Sequence, residues 1–327
     1  MRVFVRFAFA LLALATGPLA ASAQTKAVTL AVQPSTDVPQ ILLAMERKLW
    51  DTEKVEVRVV TFSTGREALE ALLGGQANFA VLTEYPAVIG ILRGQKFSVL
   101  ADMSRYQGLR ATASKKWMTL SSPKDLDGRK VGTTLGTNVE FVTSVMLREG
   151  AAKAEVVNVA PADTVPALVR GDIQASVMFP NLYAQAKKLL GPDYQEIRTK
   201  SYTSHSLLVG ATATLESRKA ETEGFLKGLL AADKIVAADP AAGQAVVLAA
   251  LKGVMTPEVL KELWVDYDYR LTLTDALPKL MSQEATWILE RGAVKASANA
   301  ASVKALRGAI SDGFLARLSP GAVGLTN

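Results

Sequence analysis

Along most of this chain, short apolar runs alternate with stretches whose apolar residues recur every three or four positions, the pattern of strands interleaved with amphipathic helices. Val28 to Gln33 is expected as a strand, and after a turn at Pro34 to Asp37 the spacing of Ile41, Leu42, Met45 and Leu49 predicts a helix from Pro39 to Trp50. Strands are predicted at Val55 to Phe62, Phe79 to Leu82 and Phe97 to Ala101, with helices at Arg66 to Leu73 and Ala87 to Arg93 between them. This is the βαβ order of a parallel sheet. A second series follows: a short helix start at Ser122 to Asp125, strands at Arg129 to Thr133, Glu155 to Val159 and Ile173 to Met178, and helices at Thr137 to Arg148 and Thr164 to Val169. Beyond the strand Leu207 to Gly210 the pattern predicts only helices, at 216–238, 241–251, 257–263, 275–289 and 302–315.

One segment occurs twice in altered form, at Ala71 to Leu82 and at Ala167 to Met178. Each copy reads as a helix end, a glycine stop at Gly75 or Gly171, and a strand covered on both faces that runs toward a proline, Pro86 or Pro180. The copies lie about a hundred residues apart, too far for a solenoid and right for two similar α/β lobes. The expected fold class is therefore α/β, with two lobes, each a mostly parallel sheet flanked by helices. The helical tail is placed on the first lobe, which makes that lobe discontinuous: residues 24–106 with 206–327, and 107–205 for the second. The crossings fall near Ser104 to Leu109 and Lys200 to Ser206.

The N-terminus changes where this fold is expected to work. Arg2 and Arg6 precede an apolar run from Phe7 to Leu14, and Ala21-Ser22-Ala23 is the small-x-small pattern of a cleavage site. Residues 1–23 are read as a signal peptide, with an exported chain starting near Gln24. The chain has no cysteine, so neither a lipid-bearing cysteine nor a disulfide is available. The net charge of +6 becomes +4 without the leader, 35 basic residues against 31 acidic. With no basic run, nucleic acid is not an expected partner.

Two turns carry the candidate chemistry. Thr64-Gly65-Arg66-Glu67 and Thr137-Asn138-Val139-Glu140 both have the spacing of capping boxes after a strand. Free amides and a helix dipole at such turns receive an anion or a polar oxygen without a buried lysine. Gln33, Ser35 and Thr36 follow the first strand at its carboxyl end, where ligands of open α/β sheets gather; Asp37 reads equally as a turn residue. Glu84, after Thr83, would repel an anion and pair with an amine or ring N–H if it entered a cleft, and is a solvated helix-start residue otherwise. Phe179 is a candidate apolar wall or core residue.

Catalytic classes find little support. With a single histidine, His205, expected at a hinge or surface, and no cysteine, no histidine/cysteine zinc site can be assembled, and no metal or cofactor is expected. Neither a G-x-S-x-G elbow nor a phosphate loop occurs, and Gly132 to Gly136 has the wrong spacing. Asp266 and Asp268 are explained by a polar, tyrosine-rich stretch between helices. The rival reading is an exported enzyme using Glu84 or Asp163 as base.

Leu30 to Pro34, Ser63 to Gly65, Leu72 to Phe79, Leu126 to Gly132 with Thr137, and Ala167 to Pro180 together resemble the substrate-binding proteins of nitrate, sulfonate and taurine type ABC transporters. Their superfamily includes the binding proteins for pyrimidine precursors of thiamine. The resemblance implies a type II periplasmic binding protein, monomeric, closing on a small molecule and docking to a membrane permease, with no reaction of its own. Carried over by position, it implies ligand contacts from Gln33, Ser35, Ser63, Thr64, Gly65, Thr83, Leu135, Gly136, Thr137, Asn138 and Phe179. Glu84 is the departure that favours an amine-bearing sulfonate or a heterocycle over nitrate.

Overall fold

The computed structural model describes residues 26–199 and 201–326. The leader at 1–23, its cleavage site and Lys200 of the second crossing lie outside the described residues.

Two mixed sheets organise the chain. The first has the order β11-β4-β10-β3-β1-β2, from β1 (Lys26–Val32), β2 (Val55–Thr61), β3 (Phe79–Thr83), β4 (Phe97–Tyr106), β10 (Ser204–Ala211) and β11 (Tyr267–Asp268). Strands β1, β2 and β3 are parallel, while β10 runs antiparallel between β3 and β4 and β11 antiparallel along β4. The second has the order β7-β6-β8-β5-β9, from β5 (Arg110–Ser114), β6 (Lys130–Thr133), β7 (Glu155–Asn158), β8 (Ala175–Val177) and β9 (Tyr194–Arg198). Here only β5 runs against the rest. The chain leaves the first sheet after Tyr106 and returns to it at Ser204.

Helices α1 (Pro39–Glu46), α2 (Gly65–Leu73) and α3 (Glu84–Leu92) serve the first sheet, and α4 (Asn138–Glu149), α5 (Pro161–Arg170) and α6 (Tyr183–Leu190) the second. Both copies of the repeated segment end their helices through a glycine of positive φ, +75° at Gly75 and +84° at Gly171, a conformation that costs a residue with a Cβ. The tail contributes α7 (Thr212–Ser217), α8 (Lys219–Ala238), α9 (Pro240–Ala250), α10 (Pro257–Trp264), α11 (Ala276–Glu290), α12 (Val303–Arg307) and α13 (Gly313–Leu318). It packs on the first sheet. Phe225 of α8 stacks between Phe79 and Trp50, with centroids 4.6 and 5.4 Å away, and the Trp50 indole donates to the Phe225 carbonyl at 2.9 Å. Gly228 permits this approach, since a Cβ there would lie 2.2 Å from Trp50.

Several expectations are corrected. The tail is not purely helical: β11 extends the first sheet, and Leu273–Thr274 pairs with Val323–Gly324. The stretch holding Asp266 and Asp268 is thus partly strand, with Asp268 bound to Arg105 at 3.1 Å. Strands β5 and β9 are not predicted because the apolar positions of β5 are only the small Ala111 and Ala113, and β9 is a mostly polar edge strand. The first helix stops at Glu46, where Lys48 takes a φ of +51°. His205 is no surface residue: it lies 4% exposed on β10 with Nδ1 2.7 Å from an Asp102 carboxylate oxygen.

Candidate functional site

One cavity draws residues from both sheets, with about 690 Å³ of free space including its opening to solvent. The first sheet supplies the turn after β1, the start of α2, the end of β3, and parts of β4, β10 and β11. The second supplies the start of α4 and the chain after β8. These are carboxyl ends of parallel strands and the helix starts that follow them, the usual place for a ligand in an open α/β sheet.

Of the twelve residues proposed from the sequence as ligand contacts, Glu84 included, seven line this cavity: Gln33, Ser35, Gly65, Thr83, Thr137, Asn138 and Phe179, and Thr36 and Asp37 of the first turn line it as well. Gly65 must be small, because a Cβ would come within 2.9 Å of the Leu82 Cα. Asn138 is buried and donates from Nδ2 to the Ser204 hydroxyl at 2.9 Å, while its Oδ1 has no partner. The other five stand elsewhere.

Thr64 is buried against its own helix, accepting from the Glu67 amide at 3.2 Å, and the Glu67 carboxylate takes the Ser63 amide at 3.0 Å. That turn is a working cap. The Thr137 turn is not: its hydroxyl donates to the Thr134 carbonyl at 2.7 Å, and Glu140 accepts from the Gly136 amide at 2.7 Å instead. The Leu135 amide is used by Asn158 at 3.1 Å. At both turns a glutamate of the helix itself occupies an amide, at Ser63 and at Gly136, so neither amide is free for a ligand.

Glu84 is fully buried and does not line the cavity. It accepts from the Tyr202 hydroxyl and from the His205 amide at 2.7 Å, and burial pushes its carboxyl up to about 7, with the charge of His205 working against that rise. Glu284 of α11 lies beside it, also buried, and its carboxyl is raised well above the usual range by burial and by the charge of Glu84. The His205 ring is desolvated, yet its hydrogen bond and attraction to Asp102 outweigh that and raise its pKa.

The carboxylate that does face the cavity is Asp37. Its oxygens accept from the Ser35 and Ser206 hydroxyls, the latter at 2.5 Å, and Ser104 donates to its carbonyl at 2.8 Å. Tyr106 and Tyr267 form an adjacent wall, rings stacked 4.3 Å apart, with the Tyr267 hydroxyl 2.7 Å from that of Thr36. Burial, reinforced by the charge of Asp37, holds the Tyr267 phenol well above its usual pKa. Half-exposed Arg66 stands at the cavity and pairs loosely with Glu70 at 3.9 Å. Sequence reasoning missed the tyrosine wall. Tyr267 and Tyr269 alternate like strand residues, but two positions are too few to carry the signal.

Among the described residues no group of three or more His, Cys, Asp or Glu side chains is placed to hold a metal ion, and no helix is long and apolar enough to cross a membrane.

Residues 35–243 match the model of the family described as NMT1/THI5 like. No curated protein sequence matches the chain. Solved structures share its fold. The periplasmic aliphatic sulphonate binding protein SsuA from Escherichia coli has a TM-score of 0.71 at 18% identity, over 88% of this chain and 92% of that one. The periplasmic nitrate-binding protein NrtA from Synechocystis PCC 6803 has a TM-score of 0.71 at 12% identity, over 91% and 89%. A DszB mutant in complex with biphenyl-2-sulfinic acid has a TM-score of 0.63 at 13% identity, over 90% and 98%.

Proposed function

The chain belongs to the NMT1/THI5-like family, and on that premise we propose that it is the periplasmic solute-binding component of an ABC importer, binding a small polar organic molecule between two lobes. The observation that carries this reading is the shared cavity, lined by α2 and Thr83 on one side and by Thr137, Asn138 and Phe179 on the other. A ligand that touches both sides stabilises the closed arrangement by its differential affinity for it. The proposed lobes are residues 24–106 with 206–327, and 107–205, joined by crossings near Ser104 to Leu109 and Lys200 to Ser206. Export through a cleaved leader at 1–23 places the monomer in the periplasm, and the closed form docks to a membrane permease.

SsuA and NrtA, with the same fold, bind aliphatic sulphonates and nitrate. Sulfonate- or taurine-like compounds and pyrimidine-type thiamine precursors are the ligand classes to test first. The fold also holds an aromatic sulfinate, since the DszB mutant is in complex with biphenyl-2-sulfinic acid. Against an enzymatic reading stand the burial of Glu84 away from the cavity and the chain's only histidine held by Asp102 behind it. Calorimetry and thermal shift over sulfonates, amino sulfonates, carboxylates and pyrimidines test the proposal, with mass spectrometry of the recovered compounds. Saturable one-to-one binding with unaltered ligand is expected; chemical conversion of a bound compound would overturn it.

A further inference from the structure

We propose that the cavity takes a small organic cation or zwitterion whose protonated amine seats on Asp37 beside the Tyr106 and Tyr267 rings, a step that rests on the solute-binding reading above. Three independent features converge on this chemistry.

The charge is unmatched. Asp37 lines the cavity and receives only hydroxyl hydrogen bonds, from Ser35 and Ser206, and among the described residues no cationic side chain pairs with it. A carboxylate partly withdrawn from water without a counter-charge is an incomplete site, and an ammonium group completes it.

The uncharged polar groups point the same way. Asn138, on a side chain 4% exposed, and Asn181 both line the cavity, and the buried Oδ1 of each has no hydrogen-bond donor. Three acceptors in one cavity call for a ligand rich in N–H donors. Anion-binding capacity is correspondingly reduced, because Glu67 and Glu140 already occupy amides at the two helix starts.

The wall suits a cation as well. Stacked Tyr106 and Tyr267 offer aromatic surface next to Asp37, and a ring face attracts an ammonium group that has left water. Half-exposed Arg66, also in the lining, offers a positive charge to a negative group of the same molecule, which makes a zwitterion compatible.

The test uses matched pairs that differ in the amine: taurine against ethanesulfonate, γ-aminobutyrate against butyrate, and benzylamine against benzoate, titrated by calorimetry into the wild type and Asp37→Asn. At least one amine is expected to bind about tenfold or more tightly than its amine-free partner. Asp37→Asn, which keeps the shape of the side chain, is expected to abolish that preference while leaving the melting temperature near that of the wild type. Should the variant fold poorly, the wild-type pairs alone decide. Amine-free anions binding as tightly as the amines, or a preference that survives Asp37→Asn, would overturn the inference and leave the solute-binding reading standing. No saturable binding by any compound, amine-bearing or not, would overturn both.

Discussion

The Asn138 side chain donates to the Ser204 hydroxyl over 2.9 Å, tying the first residue of α4 to the first residue of β10. This contact links the second sheet to the strand that brings the chain back into the first, and both residues line the cavity. Asn138→Ala removes the donor to Ser204 and a buried, unpaired acceptor on a residue of the cavity lining. A loss of about tenfold in affinity is expected for whichever compound binds the wild type, about 1.4 kcal/mol. Calorimetry on the folded variant checks this, and unchanged affinity would remove Asn138 from the site.

The two threonine turns are expected to respond differently, although their sequences match. Thr64 caps α2 and lies outside the cavity, so Thr64→Ala should cost about 1 kcal/mol in urea unfolding and leave affinity unchanged. Thr137 lines the cavity and holds its turn through the Thr134 carbonyl. Thr137→Ala is expected to weaken binding by about tenfold. Equal effects of the two changes on affinity would contradict the difference in their hydrogen bonding.

The contrast marks where sequence reasoning reached and where it stopped. The repeated helix–glycine–strand segment was readable because its signals are local: a glycine of positive φ and a run of apolar residues. The carboxyl-end turns were readable for the same reason, and seven proposed residues do line one cavity. A capping-box spacing, by contrast, does not say which amide the glutamate will take. Nor does it say where a neighbouring carboxylate points. Glu84 is neither in the cleft nor solvated because its burial is set by Tyr202 and His205, more than a hundred residues away, and Asp37 reaches the cavity beside Ser206 and Tyr267, which are as distant in the chain. Such long-range pairings leave no periodic trace in the chain.

Ion pairs from Glu262 of α10 and from Asp266 just after it join the tail to β5, α6 and β9 of the second lobe's sheet and helices. Glu262 reaches Lys187 at 2.5 Å and both Arg110 and Arg198 at 3.0 Å, and Asp266 reaches Arg198 at 2.7 Å. Burial works against charge on Glu262, but its hydrogen bonds to Lys187 and Arg110 prevail and hold its carboxyl below the usual value. Several partners are a third exposed, so solvent screening leaves the exposed pairs worth little each, while Arg110 is fully buried. Glu262→Gln is expected to lower stability by about 1 kcal/mol and to favour lobe opening. A larger radius of gyration in solution scattering, approached by the wild type at high salt, checks the second effect. Identical scattering of wild type and variant at low salt would count against these pairs as a latch.

The buried acids beside the second crossing predict an unusual dependence of stability on pH. The Glu84 carboxyl rises from 4.5 to about 7, so the folded state binds its proton more tightly than the unfolded chain does. That contribution is fully present below about 4.5 and is lost as pH rises through about 7. Glu284, raised further, and His205, raised by Asp102, act in the same direction: stabilisation present at low pH and lost as pH climbs through their folded values. Glu196, Glu262 and Asp268 are shifted downward, and their contribution is lost only as pH falls below the ordinary carboxylate range. Stability should therefore decline from pH 5 to pH 8, with Glu84 responsible for roughly 1–3 kcal/mol of the change. Glu84→Gln offers an amide oxygen to the His205 N–H in place of the carboxylate while carrying no charge, so its decline over the same interval should be visibly shallower. Urea unfolding of both proteins at pH 5, 6, 7 and 8 measures this directly, and a wild type that gains stability across that range would show that the pair is not held protonated by burial.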